Sequence, residues 1–348
     1  MSIRQGNILN NSRLGNLDAL RGLCAVLVFF QHALPLEFLG AGYFASMPNF
    51  FIDLGRIGVG AFFLVSGYVI PFSVNKNTTL QLFWIGRFFR LWPAYIVAIL
   101  LAVIFNVEDS RSLEPFSIIL NFTMLQQFFG IKNVLGVFWT LQIELIFYLI
   151  ISLMLLNKIV HDYKKVRIAF YISLSLALAF AVLRFLFEKK FPVALLIALS
   201  LMFFATDLRF SRNKNEPVSY FRVAALISML IVSCQLAYGI HTGSDDNPYR
   251  FILAYILAIC LFIFFEKCST VPGYLVFFGS ISYSLYLMHP IVLNFFHAED
   301  FNVFSIAIAF SLTVGVSTLS WLFIEKPFQR MGRHINKGVM AGRVQRVE

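Results

Sequence analysis

The stretch LDALRGLCAVLVFFQHA, residues 17–33, has the length and composition of a membrane-spanning helix, yet it carries charge where hydrocarbon should be. Continued to residue 36, it covers about 30 Å at 1.5 Å per residue, the thickness of a bilayer core. Asp18, Arg21 and His32 lie inside it, and an ionisable group within a span costs several kcal/mol unless it is paired or hydrated. At about 100° per residue, the step from Arg21 to His32 closes about three turns, so both share one face, about 16 Å apart along the axis. Asp18 lies on that face, three residues before Arg21 and within pairing reach. Alone, Arg21 would read as a positive-inside anchor and His32 as a core histidine. Aligned, Asp18, Arg21 and His32 read as candidate catalytic residues.

The rest of the chain is of the same kind. Of 348 residues, 59% are hydrophobic and 13% charged, with 41 Phe against 18 Asp plus Glu. Mean hydropathy is +0.78. This composition excludes a soluble globular domain and a disordered chain. Apolar stretches near 50–71, 90–106, 137–156, 167–187, 191–206, 219–239, 250–266, 273–297 and 301–324 join the first to give about ten spans. The stretch 116–129 is shorter and holds Asn121, Thr123, Gln126 and Gln127, so it is ambiguous between a span and a re-entrant piece. With ten spans and an internal N-terminus, most of the 28 Lys and Arg fall on the cytoplasmic side; counting 116–129 as a full crossing reverses that majority.

The expected fold is therefore an all-α polytopic membrane protein, with about ten transmembrane helices plus a short re-entrant segment and both termini cytoplasmic. One domain is expected over 1–348, with a core at 17–328 and a basic cytoplasmic tail at 329–348. The net charge of +10 is explained by orientation in the lipid bilayer, without a nucleic-acid partner. No small-residue cleavage site follows the N-terminus, so the first span is expected to remain uncleaved. Cys24, Cys234, Cys260 and Cys268 lack metal-type spacing and read as small hydrophobes; no metal site is expected. The absence of visible internal repeats weakens a transporter built on inverted repeats.

Further polar groups stand in or beside the spans. His32 lies about 22 Å from the cytoplasmic face, and Glu144 in FWTLQIELIFYLI, on an inward-running span, lies about 20 Å from it. An imidazole and a carboxylate at one depth suit a base and its orienter, or a structural ion pair. Arg87 and Arg90 in LFWIGRFFRLWPAYI share a helical face at the inner side, where guanidinium forks suit phosphate oxygens. Ser66, beside Gly67 in GAFFLVSGYVI, is placed for close approach of a ligand or of another helix. Tyr283, Tyr286 and His289 recur at i, i+3, i+6 in SISYSLYLMHPIV as an inward arc of polar tips. Asp53 and Arg56 stand at the outer mouth, as a salt bridge or as part of an acceptor entrance.

Taken in order, these motifs resemble the integral-membrane acyltransferase 3 family. The resemblance covers 17–328: LDALRG with ten residues between Arg21 and His32, FFLVSG at 62–67, Arg87-x-x-Arg90 running into LWPAY, WTLQIELIFY at 139–148, SYSLYLMHP at 282–290 and FIEKP at 323–327. It implies transfer of an acyl group, usually acetyl, from cytoplasmic acetyl-CoA to a hydroxyl of a glycan outside the cell's inner membrane. It implies that His32 is catalytic, by direct proton abstraction or through an acyl-histidine, that Arg87 and Arg90 contact CoA with Ser66 nearby, and that Glu144 supports the site. Asp53, Arg56, Tyr283, Tyr286 and His289 are then expected to meet the acceptor. Many family members carry an extracytoplasmic esterase-like domain; this sequence is expected to act through its membrane domain alone. The rival reading is a proton-coupled transporter or flippase of a glycan or lipid, with His32 and Glu144 as a proton relay.

Overall fold

A computed structural model describes residues 2–40, 51–75, 77–214, 216–217, 219–239, 247–296 and 302–344, and these are helical with no strand among them. The chain runs α1 (Ser2–Ala33), α2 (Leu54–Val69), α3 (Leu80–Ile104), α4 (Pro115–Asn121), α5 (Trp139–Leu156), α6 (Tyr163–Phe187) and α7 (Val193–Asn213). It continues as α8 (Tyr220–Ala237), α9 (Pro248–Lys267), α10 (Gly273–Leu293), α11 (Val303–Ser320), a π-helical turn (Trp321–Glu325) and α12 (Lys326–Val344). Among the described residues, nine helical segments are long and apolar enough to cross a membrane, and they coincide with the second to last expected spans. Residues 17–33 of the first expected span lie within α1, which begins well before residue 17 and ends at Ala33. This is an all-α polytopic membrane protein.

The chain divides into two compact units. One comprises residues 1–73 and 159–279, and the other 74–158 and 280–348; α10 starts in the first and ends in the second. His32 belongs to the first unit and Glu144 to the second.

In the first unit, α2 packs against α1, α7 and α9, and small residues set the approach. A Cβ on Gly58 would lie 2.6 Å from the Cys24 carbonyl, and one on Gly67 would run into the Met202 carbonyl. A Cβ on Gly279, at the start of α10, would run into the Asp18 carbonyl. Lipid offers no hydrophobic drive for helices to associate, so close van der Waals packing and interhelical hydrogen bonds hold them. The Thr206 hydroxyl accordingly donates to the Gly67 carbonyl at 2.7 Å.

Ion pairs tie the same helices at one end. Asp207 is 1% exposed and lies between Arg222, at 2.9 Å, and Arg167, at 3.2 Å. Arg222 also donates to the Ser211 hydroxyl at 3.1 Å. Glu266 accepts from the Tyr68 hydroxyl at 3.3 Å and from Arg212 at 3.2 Å. Thus α2, α6, α7, α8 and α9 are joined through two buried carboxylates.

In the second unit, the ambiguous stretch 116–129 is a broken piece rather than one helix. α4 rises only about 10 Å at 1.5 Å per residue, and a short 3-10 turn follows at Gln126–Phe129. Irregular backbone at membrane depth needs partners from the protein, and buried Asn121 supplies them. Its Nδ2 donates to the Ser117 and Lys132 carbonyls at 2.8 and 3.1 Å, and its Oδ1 accepts from the Val134 amide at 2.9 Å. The Asn133 side chain accepts from Gln126 and Gln142 at 2.7 and 3.0 Å.

The basic stretch expected as a tail at 329–348 is helical as far as Val344, with residues 345–348 outside the described set. α12 packs along α3, where Gly332 lies against Phe89 and the Asn336 side chain donates to the Leu82 carbonyl at 3.1 Å. Arg330, Arg333 and Lys337 face away, exposed. A tail reading missed this because the face contacting α3 is built from small and polar residues rather than an apolar stripe.

Gly67→Ala is expected to lower stability by about 1–3 kcal/mol through overpacking against Met202, measured by thermal unfolding in detergent. Gly315→Ala in α11, where a Cβ meets nothing within 4 Å, is the matched control and is expected to be neutral or stabilising.

Candidate functional site

α1 is continuous through the expected catalytic face, so helical spacing holds there. Arg21 pairs with Asp18 at 3.3 Å, as the i, i+3 spacing predicts, and its guanidinium lies 5.9 Å from the Phe62 ring centre. His32 is exposed at the end of the helix, and its Nδ1 lies 2.9 Å from the Val28 carbonyl. A carbonyl only accepts, so Nδ1 carries the proton and the lone pair is on Nε2. The backbone of its own helix, one turn back, is therefore one group that orients the ring.

Asp53 caps α2, its Oδ1 accepting from the Arg56 amide at 2.7 Å. Its Oδ2 lies 3.3 Å from Arg56 and 3.4 Å from Arg250. The expected pair is thus a three-member cluster. Ser66 is buried and its hydroxyl has no hydrogen-bond partner among the described residues. Next to it, Gly67 serves the close approach of α7, so the small residues of FFLVSG have a packing role.

In the second unit, α3 begins at Leu80, earlier than the span expected from residue 90, so Arg87 and Arg90 both lie inside the helix and share its face. Arg87 stacks on Phe83 and Tyr148, its guanidinium 5.4 and 5.3 Å from the ring centres. Tyr148 in turn donates to Glu144 at 2.6 Å. Glu144 is therefore a buried carboxylate joined through one phenol to the arginine pair.

Tyr283 donates to the Leu91 carbonyl at 2.9 Å, and Tyr286 to the Val137 carbonyl at 2.8 Å with Thr140 at 2.7 Å. His289 is buried, its Nδ1 3.2 Å from the Leu285 carbonyl. These polar tips brace α10 against α3 and the start of α5.

Sequence reading did not single out Glu325, which ends the π-helical turn and is buried. It accepts a hydrogen bond from Ser284, whose oxygen in turn accepts from the Ser320 hydroxyl at 2.8 Å, and the charge of Arg90 acts on it. The signal was present in FIEKP, an acid at the end of an apolar run. Among the described residues no group of His, Cys, Asp or Glu is arranged to hold a metal ion.

Tyr148→Phe removes the phenol that Glu144 accepts from. The variant is expected to lose about 1–3 kcal/mol of stability, the usual penalty for stranding a buried acceptor, in the same thermal assay, with the Tyr148→His variant recovering part of it.

The family model described as an acyltransferase domain matches residues 14–325. A protein of Staphylococcus aureus strain COL that carries the name O-acetyltransferase is 25% identical over 91% of this chain and 57% of its own length. Peptidoglycan O-acetyltransferase OatA of Listeria monocytogenes is 34% identical over 39% of this chain and 23% of its own. Acyltransferase MdmB of Streptomyces mycarofaciens is 31% identical over 28% of this chain and 26% of its own. The chain thus spans at most about half the length of these curated relatives. No solved structure matches it. With a family match over nearly all its helices and the Arg21, His32, Arg87 and Arg90 pattern within that match, the chain belongs to the acyltransferase 3 family.

Proposed function

We propose that this protein transfers an acetyl group from cytoplasmic acetyl-CoA to a hydroxyl of a surface polysaccharide or lipid-linked glycan outside the bacterial inner membrane. The observation that carries the reading is His32: an exposed imidazole at the end of an apolar helix, with its tautomer set so that Nε2 holds the lone pair. Nε2 takes the proton of the acceptor hydroxyl as that oxygen attacks the acyl carbonyl. As the carbon–sulfur bond breaks, His32 returns the proton to the leaving sulfur, and the imidazole ends neutral. The Asp18–Arg21 pair keeps a charge satisfied on the same helix face while balancing most of its field.

Arg87 and Arg90 hold the anionic end of CoA. They present two guanidinium forks from one face of α3, and charge-assisted pairing with phosphate oxygens is the interaction that such forks make best. Tyr148 and Glu144 fix the first of these: the ring supports the Arg87 guanidinium and the carboxylate supplies counter-charge before CoA arrives. The Asp53 and Arg56 pair belongs to the acceptor side. The names of the staphylococcal and Listeria relatives, O-acetyltransferases, support a hydroxyl acceptor and an acetyl donor.

In membrane vesicles given labelled acetyl-CoA, His32→Ala is expected to abolish label transfer to glycan while protein insertion is unchanged. Full activity in that variant overturns the mechanism. Arg87→Ala with Arg90→Ala is expected to raise the KM for acetyl-CoA about a hundredfold, two charge-assisted contacts being lost. An unchanged KM removes these residues from the donor site.

A further inference from the structure

Three arginines from three helices meet at one pole of the first unit. Arg56 is in the first turn of α2, Arg250 in the first turn of α9 and Arg184 in the last turn of α6. This pole is the end of α2 remote from Tyr68, where Arg209, Arg212 and Glu266 gather. At the first pole a stack of planar groups orders the arginines. The Tyr238 and Phe251 rings lie 4.0 Å apart and nearly parallel, Arg56 sits 3.7 Å from the Phe251 centre, and Arg184 sits 5.0 Å from the Tyr238 centre. Arg250 lies 4.4 Å from the Phe51 centre and 4.9 Å from that of Phe251.

The carboxylate paired with Arg56 and Arg250 is Asp53, and it is heavily committed. One oxygen caps α2 and the other faces both Arg56 and Arg250. Arg184 is not among its partners, and its buried Nε–H makes no hydrogen bond among the described residues. Exposed Glu188, Lys189 and Lys190 follow Arg184 at the end of α6, and Asp245 and Asp246 lie outside the described set. In the ten-span orientation this pole is extracytoplasmic, the side on which membrane insertion selects against arginine. Positive charge kept there, fixed on aromatic plates, is suited to an anion.

We propose that this pole binds an anionic oxygen group of the acceptor, a carboxylate or phosphate, with Arg184 and Arg250 as binding residues beside Arg56. The assignment to the acceptor rests on the acyl-transfer reading above; the anion site itself does not. The group has two possible sources, a uronate within the glycan or the phosphate that links a glycan to its lipid. Aromatic stacking leaves the guanidinium edges to make the contacts, and Asp53 keeps two of them in register.

The test is calorimetric titration of the full chain in nanodiscs of zwitterionic lipid, with saturating CoA and no acyl donor. Probes are cellobiouronate, its neutral counterpart cellobiose, and inorganic pyrophosphate. At least one charged probe is expected to bind about tenfold or more tighter than cellobiose and to weaken as salt is raised, as an interaction with partly exposed charges must. Preference for the uronate places the charge on the acceptor sugar, and preference for pyrophosphate places it on the lipid-linking phosphate. Arg184→Gln is expected to weaken the charged probe about tenfold, one charge-assisted contact being lost, and Arg184→Lys to recover part of it. Equal binding of charged and neutral probes, or of wild type and Arg184→Gln, overturns the proposal. Because no transfer occurs in the titration, probe binding in a chain that fails to transfer acetyl from acetyl-CoA defeats the acyl-transfer reading and leaves the anion site standing.

Discussion

A charge carried into hydrocarbon has to bring its counter-charge with it, and the first unit is organised around that requirement. An unpaired buried ion costs several kcal/mol, more than a typical helix contact returns. Asp207 is therefore held between Arg167 and Arg222, and Glu266 between Tyr68 and Arg212. Each pairing joins helices that lipid alone gives no reason to associate, so the ions fix which helices are neighbours as well as satisfying one another. Gly67 lets α2 and α7 approach closely beside those pairings, and Gly58 and Gly279 do the same for α1 against α2 and the start of α10.

The second unit meets the same requirement with neutral groups. Its α4 region leaves the helical ladder, and amide side chains replace the lost backbone partners: Asn121 makes three such bonds, and Asn133 takes two more from glutamines. Tyr95 and Trp92 of α3 donate to the carbonyls of Asn121 and Phe122. The broken segment is thereby anchored to the helix that carries Arg87 and Arg90. Positioning of those arginines thus depends on Asn121 and Tyr148 alike, though neither bears a charge.

Much of the candidate site was legible because its members are close in sequence. Asp18 with Arg21, Asp53 with Arg56, and Arg87 with Arg90 are each three residues apart, and helical geometry alone puts such residues on one face. Partners far apart in sequence gave no such signal. Nothing in the spacing joins Asp53 to Arg250, Asp207 to Arg222 as a core pair, or Glu325 to Ser284. The Val28 carbonyl at His32 was also hidden, since a backbone acceptor leaves no trace in residue type. In α12 the opposite problem arose: exposed arginines and lysines resembled a solvated tail, while Gly332 and Asn336, which dock it, have no apolar signature.

By itself the sequence determined that this chain lives in lipid, where its helices run, and which short-range pairs of charges face together, because those follow from transfer energy and from 3.6 residues per turn. Only the tertiary structure decided which helices those charges join, that Arg87 stacks on Tyr148, and that Arg56 and Arg250 converge on Asp53. Those outcomes depend on contacts between residues far apart in the chain, which periodicity along one helix does not encode.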